Sequence, residues 1–265
     1  MESLVTKVVP VIRLAGKEIL KLYKDNLLVS KKEDQSPVTE ADLKSEHIIQ
    51  EGLSPFGYPI LSEETEDNLN RMKSERVWIV DPLDGTRDFI DKTDEFSVMI
   101  GLAEKGLPIA GFVYQPAGDK LYYALKGTGA YLQIGNGPAQ KIHVSLTESL
   151  PQSILVASRI HFSEAIQKAA KKMNCQIKRV GSNGVKMCMV AEGKADIFFN
   201  PTDRMGQWDI CAPQIIVEEA GGVVTGIQGE RLVYNQKNPK NPFGIAVSNA
   251  KLHHRMINIL ESEND

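Results

Sequence analysis

One stretch constrains this 265-residue chain more than any other: Trp78-Ile79-Val80-Asp81-Pro82-Leu83-Asp84-Gly85-Thr86-Arg87-Asp88-Phe89. The apolar run Val77 to Val80 reads as a buried strand that feeds a tight turn. Aspartate is favoured at the first position of such a turn, and Pro82 presets φ at the second. The turn brings the Asp81 and Asp84 carboxylates together, where like charges repel and one group tends to stay protonated. A divalent cation between them removes that penalty. Hard oxygen ligands suit Mg²⁺, which takes one or two carboxylates together with substrate phosphate oxygens. Gly85 and Thr86 follow with backbone N–H groups of the kind that cradle an anion. A metal site and an anion site would then adjoin. The same residues also make a plain type I turn with a solvated aspartate at each end, and turn chemistry alone does not choose between the two.

A chain of this length makes one large domain or two smaller ones and can bury a substantial core. Its net charge of −3, with no basic stripe, argues against a nucleic-acid polymer as partner. Lys31-Lys32 and Lys171-Lys172 read as solvated pairs. Cys175, Cys188 and Cys211 fit neither a zinc site nor a redox motif and are expected as free thiols in a reducing compartment. Glu2, Lys7 and Arg13 interrupt any signal-peptide pattern, and no apolar stretch is long enough to cross a membrane. A cytoplasmic protein without a membrane partner is expected.

Leu4, Val8, Ile12, Ala15, Ile19 and Leu22 recur at helical spacing, so residues 2 to 26 read as an amphipathic helix that Pro10 would kink or delay. A polar loop follows, from Lys31 to Pro37. Val38 to about Gly52 reads as a second helix, in which Thr39 and Asp42 have capping-box spacing. On local sequence that is the simplest role for Asp42. Pro59-Ile60-Leu61 is a short strand leading into the acidic run from Ser62 to Asp67, which reads as a solvated loop. Phe96 to Ile142 reads as an antiparallel meander with turns at Lys105-Gly106 and Ala117-Gly118-Asp119.

After Ser149-Leu150-Pro151 the pattern changes. Strands at 154–157, 177–180, 196–199 and 223–225 alternate with helices near 163–173, 183–192 and 208–219, which implies a partly parallel sheet covered by helices. The change suggests two subdomains, residues 1–148 and 149–265. Asp209 reads locally as an N-cap, with Gly221-Gly222 closing its helix. No Gly-x-Ser-x-Gly elbow is present, and the five histidines form neither a metal-binding nor a triad spacing, which argues against serine or cysteine nucleophiles.

The central stretch resembles the hallmark motif of the lithium-sensitive, Mg²⁺-dependent phosphatases, the inositol monophosphatase superfamily. So, in the same order, do Ser36-Pro37-Val38-Thr39-Glu40-Ala41-Asp42, Ser62-Glu63-Glu64 and Trp208-Asp209-Ile210-Cys211-Ala212-Pro213. The resemblance implies a mixed α/β (α+β) fold layered α-β-α-β-α, with an N-terminal antiparallel sheet and a C-terminal mixed, partly parallel sheet. It implies two or three Mg²⁺ per site. Glu63, Asp81 and the Leu83 carbonyl would hold one ion, and Asp81, Asp84 and Asp209 a second. Asp42 and Thr86 would position the attacking water, so that no covalent phosphoenzyme forms. Glu64 is the weaker metal candidate.

Within the superfamily the chain is most similar to the 3′(2′),5′-bisphosphate nucleotidases, which remove the 3′-phosphate of adenosine 3′,5′-bisphosphate. Inositol monophosphatase is the alternative. Gly85, Thr86, Ser182, Lys186 and Arg204 are the expected substrate contacts. Gly181-Ser182-Asn183-Gly184 lies between a strand and a helix, where free N–H groups favour an anion. Lys186 adds a charge there, although a solvated lysine on a first helical turn reads equally well. The segment from Asn200 to Gln207 departs from the common bacterial Pro-Arg-x-Gly-Pro-Thr, and Arg204 would stand in for the missing arginine. A non-catalytic nucleotide-sensing scaffold is the contrasting possibility; phosphate release from any sugar phosphate separates it from an enzyme. Monomer and homodimer are both open.

Overall fold

The structure, a computed structural model, describes residues 2–24, 29–31 and 37–262. Lys32 and Ser36, and with them most of the expected polar loop, lie outside the described residues. Helix α1 (Glu2–Tyr23) is continuous across Pro10, which costs it one hydrogen bond. Its stripe of Val8, Ile12, Ala15 and Ile19 is fully buried and holds it in place. Strands β1 (Val29–Lys31) and β2 (Pro37–Thr39) pair with each other ahead of α2 (Glu40–Leu53). The capping box forms as its spacing predicts: Asp42 Oδ2 accepts from the Thr39 N–H, and the Thr39 hydroxyl caps α2.

The first sheet contains β3 (Ile60–Ser62), β4 (Arg76–Asp84), and, after the short α3 (Thr86–Ile90), β5 (Ser97–Glu104), β6 (Leu107–Gln115), β7 (Lys120–Leu125), β8 (Ala130–Ile134) and β9 (Gln140–Ile142), in that spatial order. The meander is antiparallel as expected. Strand β3, however, runs parallel to β4, because the chain crosses over through residues 63–75 instead of turning back in a hairpin.

The second sheet is built from β10 (Ile154–Ser158), β11 (Gln176–Val180), β12 (Ile197–Asn200), β13 (Gly222–Thr225) and β14 (Ile245–Asn249), in the order β11-β10-β12-β14-β13. Its first three strands are parallel and the other two pairings antiparallel. Helices α4 (Glu164–Met173), α5 (Asn183–Ala191), α6 (Cys211–Glu219) and α7 (His253–Glu261) complete the chain. Strand β14 and helix α7 have no counterpart in the sequence reading.

Alternation along the strands sorts side chains into three cores. Trp78 and Val80 of β4 face α1 and α2. Val77 and Ile79 face a central cluster that also holds α5, α6, Val156, Phe198 and Val247. Leu155, Ala157, Ile197 and Phe199 face α4 and α7. The layers are therefore α-β-α-β-α, with α5 and α6 between the two sheets. Gly101 and Gly111 lie opposite each other on β5 and β6. A Cβ on Gly101 would come within 2.7 Å of Cys211 Sγ, and one on Gly111 within 2.1 Å of the Ala212 carbonyl oxygen. This bare patch of sheet lets the first turn of α6 lie against the backbone.

Candidate active site

Strand β4 does not end in the expected turn. It continues to Asp84 with a bulge, Asp81 pairing with Met99 and Asp84 with Ser97. The reason is Pro82, which lacks an N–H and is tolerated where a ladder is broken. The bulge also sets the geometry. Residues three apart on a regular strand point to opposite faces; one extra residue restores the parity, and Asp81 and Asp84 share a face. The bulge is pinned by Ser45 of α2, whose hydroxyl donates to the Pro82 carbonyl at 2.7 Å, and by the Leu83 N–H, which donates to Asp81 Oδ1 at 3.0 Å. Gly85, at φ 89, then turns the chain into α3.

Asp209 arrives from the other sheet. It lies in a single 3₁₀ turn, Gln207–Asp209, rather than at the N-cap of α6, which begins two residues later. Its Oδ2 accepts from the Gly206 N–H at 2.6 Å and its Oδ1 from Asn183 Nδ2 at 3.1 Å. Oxygens of Asp81, Asp84 and Asp209 lie within 4.8 Å of one another. A trio of hard oxygen donors at this spacing, Asp81 and Asp84 buried and Asp209 half-buried, fits a divalent cation such as Mg²⁺.

Electrostatics points the same way. Burial pushes the Asp81 carboxyl well above its usual range, and the charges of Glu63, Asp84 and Asp209 push it further. Burial, Glu63 and Asp84 raise Asp209 to about 7. Glu63 is not among the three closest carboxylates, but it acts on Asp81 and Asp209 and follows directly from β3, its N–H donating to the Val80 carbonyl at 3.2 Å. Glu64 is half-buried beside it.

Asp42 and Thr86 come together as the resemblance implies. Asp42 Oδ2 is fixed by the Thr39 N–H and hydroxyl at 2.7 and 2.6 Å, while Oδ1 accepts from the Thr86 hydroxyl at 3.1 Å. The Leu83 carbonyl competes for the same hydroxyl proton at 3.2 Å. Burial raises the Asp42 pKa, and the Thr39 hydrogen bonds oppose the rise.

The start of α5 differs from the sequence reading. Its N–H groups face an anion, but the anion is Asp84: the Asn183 and Gly184 N–H groups donate to it at 3.1 and 2.7 Å, and the Ser182 hydroxyl donates as well. Ser97 donates to Asp84 at 3.2 Å. Ser182 also caps α5. Lys186 is not solvated. It is 2 % exposed, its ammonium 3.4 Å from the Gly181 carbonyl and 5.3 Å from the centre of the Phe198 ring. Burial lowers its pKa to about 8, against the pull of Asp84, Asp88, Asp209 and Glu95. Sequence reasoning missed Asn183 and Ser97. Nothing in their local sequence marks them, since each acquires its partner only when distant segments meet.

Beside the carboxylates opens a cleft of about 800 Å³, walled by Glu63, Asn183 and Asp209 and by Arg204, Trp208 and Lys240. Of the expected substrate contacts, Arg204 lines this cleft, while Ser182 and Lys186 are buried against Asp84 and Gly181.

Comparison with known proteins gives this geometry its context. The inositol monophosphatase family matches residues 1–264. A 3′(2′),5′-bisphosphate nucleotidase CysQ of Buchnera aphidicola is 38% identical over 242 residues, 88% of each chain. CysQ from Bacteroides thetaiotaomicron superposes with a TM-score of 0.81 at 31% identity, over 95% of this chain and 98% of that one. The 2′AMP-bound SaIMPase-II superposes with a TM-score of 0.82 at 28% identity, over 100% of this chain and 96% of that one. With its carboxylate trio, its layered fold and these relatives, the chain belongs to the inositol monophosphatase family and is a phosphatase of that type.

Proposed function

We propose that the chain is a 3′(2′),5′-bisphosphate nucleotidase that removes the 3′-phosphate of adenosine 3′,5′-bisphosphate and leaves AMP. The observation that carries the reading is the make-up of the cleft lining, in which Glu63 and Asp209 are joined by two cations, Arg204 and Lys240. A monophosphate needs charge only where it reacts. A bisphosphate also needs cations away from that point. The relatives named as nucleotidases support the reading. Inositol monophosphatase is the competing assignment, since a neighbour at 28% identity was solved with inositol monophosphate bound.

Mg²⁺ held by Glu63, Asp81, the Leu83 carbonyl, Asp84 and Asp209 would supply an acidified water and neutralise charge on the phosphate. Thr86 has one hydroxyl proton, directed to Asp42 or to the Leu83 carbonyl. Its oxygen can then only accept, so a water beside it is held by one proton with its lone pair free for attack. Thr39 keeps Asp42 in place for this. The Gly85 and Thr86 N–H groups would take up charge on the phosphate oxygens. Lithium inhibition is part of the same reading.

A phosphate-release panel tests it. The nucleotide should exceed inositol 1-phosphate in kcat/KM, with Mg²⁺ required and Ca²⁺ ineffective, because Ca²⁺ takes more ligands at longer distances. Faster hydrolysis of inositol 1-phosphate would promote the competing assignment.

A further inference from the structure

A second cavity, of about 510 Å³, lies on the other side of the Gln207–Ile210 segment. The two cavities share one wall residue, Lys240. Three features set this cavity apart. Arg231, Lys237 and Lys240 line it, and none of its described wall residues is a carboxylate. Its walls are otherwise largely apolar, with Leu232 and Tyr234 buried, and Val233 and Phe243 at 46 % and 42 % exposure. Finally, Gln207 in its wall is 4 % exposed and its Oε1 has no hydrogen-bond donor, although its Nε2 is held by the Asn238 carbonyl at 3.0 Å. A buried acceptor without a donor is costly and calls for a partner.

The cavity is also preformed. The Gln207 N–H donates to the Pro239 carbonyl at 2.8 Å and the Asn241 N–H to the Met205 carbonyl at 2.7 Å. The buried Arg71 holds Asn235 Oδ1 at 2.7 Å and the Gln236 carbonyl at 2.9 Å. Tyr234 is tied to Gln214 through its hydroxyl. A wall fixed on both sides loses little entropy when it binds a ligand.

We propose that this cavity is a second ligand site, distinct from the catalytic cleft, that takes a purine nucleoside monophosphate. The volume exceeds what an inorganic anion fills and suits a small organic ligand. The apolar walls would take a flat base. Arg231, Lys237 and Lys240 in its lining would meet the phosphate. The inference does not depend on which phosphate ester the chain hydrolyses.

The test is a calorimetric titration of the metal-free chain, in EDTA, with 5′-AMP. Without metal the catalytic carboxylates repel a phosphate, so binding there is suppressed, whereas a site lined by cations needs no metal. One saturable equivalent is expected in the wild type and in Asp81→Asn. Affinity should fall at least tenfold in Arg231→Ala/Lys237→Ala, in Phe243→Ala, and when ribose 5-phosphate replaces AMP. All three variant positions are exposed, so the fold should survive, and circular dichroism checks it. Phosphate release with Mg²⁺ by the double variant should stay unchanged, which separates this result from the catalytic assignment. No saturable binding in EDTA, or an affinity unchanged in either variant or with ribose 5-phosphate, would overturn the proposal.

Discussion

At the scale of single residues, the site is a group of carboxylates held in place by neutral donors. Asp84 receives four hydrogen bonds, two from backbone N–H groups and two from hydroxyls, which hold its side chain in place. Asp81 is the unfavourable member, raised in pKa by burial and by four acidic neighbours, Glu63, Asp84, Asp209 and Glu64. Asp81→Asn should therefore lower kcat by at least about 10³-fold. The metal-free fold should be as stable as the wild type or steadier, since the substitution removes a repelled charge. Phosphate release in saturating Mg²⁺ and thermal melts in EDTA measure the two halves of that statement; wild-type-like turnover would remove Asp81 from the metal site. Asn183 reaches Asp209 with its side chain and Asp84 with its backbone. Asn183→Ala deletes the first contact and keeps the second, and should weaken Mg²⁺ binding by about 10–100-fold, read from the Mg²⁺ concentration at half-maximal activity.

At the scale of elements, close packing decides where those residues end up. The Gly101–Gly111 pair leaves room for the first turn of α6, and Asp209 lies just ahead of that turn. Gly111→Ala puts a methyl 2.1 Å from the Ala212 carbonyl oxygen, so the helix must move. Overpacking of this kind costs about 1–3 kcal/mol, and a shift of about 1 Å at a catalytic site costs on the order of 10²-fold in rate. Activity should thus fall much more than the melting temperature does. Equal, small losses in both would show that α6 adapts without moving Asp209.

Helix α7 supplies a pH-dependent contact. His253 bridges the Thr225 and Ser248 hydroxyls at 3.0 Å each, and burial lowers its pKa to about 4. Its folded pKa lies below the ordinary 6.5, so the folded chain keeps it neutral. Its contribution is complete above pH 6.5 and is lost as pH falls towards 4. His253→Gln should remove that part of the acid sensitivity, seen as a narrower wild-type-minus-variant gap in denaturant midpoint at pH 4.5 than at pH 7.

The same packing explains what could be read from the sequence. Periodicity exposed α1, α2, the meander and the β10–α6 alternation, because each buries one face against a single layer. It failed at β14, a short strand buried on both faces between β12 and β13 after a Pro- and Gly-containing loop. It failed at Asp81–Asp84, where a proline signals a turn and a bulge equally well. The candidate metal ligands were legible because four segments match a family pattern. Ser97 and Asn183 were not, and the Ser182 hydroxyl looked free for substrate because its partner lies almost a hundred residues upstream.

For the whole molecule, the central layer makes the two halves interdependent. Helices α5 and α6 come from the second half, yet they share a core with Val77, Ile79 and Met99 of the first sheet. The carboxylate group spans the same boundary, so cation binding acts on the stability of the entire chain. In the metal-free protein Asp209 titrates near 7, well above the 3.8 of a free aspartate. The folded chain then binds more protons than the unfolded chain between those values, and its stability declines as pH rises through 7. Mg²⁺ opposes that loss, contributing about 2.7 kcal/mol at a hundred times its Kd. The gain in melting temperature on adding Mg²⁺ should be larger at pH 8 than at pH 5.5. A gain independent of pH would mean that the carboxylates are already ionised without the ion.

The junction of Asp84 with the start of α5, and of both with Asp209, has a consequence for how the protein is made. On the ribosome, at about 5–20 residues per second, Asp209 is synthesised on the order of ten seconds after Asp84. Until then the nascent chain carries Asp81 and Asp84 without the third carboxylate, and for most of that time without the α5 donors to Asp84. The ability to capture a divalent ion tightly therefore appears late, once α5 and α6 have docked. A site that draws on Asp209 would be complete only once α5 and α6 are in place, and a product cut short before residue 209 would lack its third carboxylate.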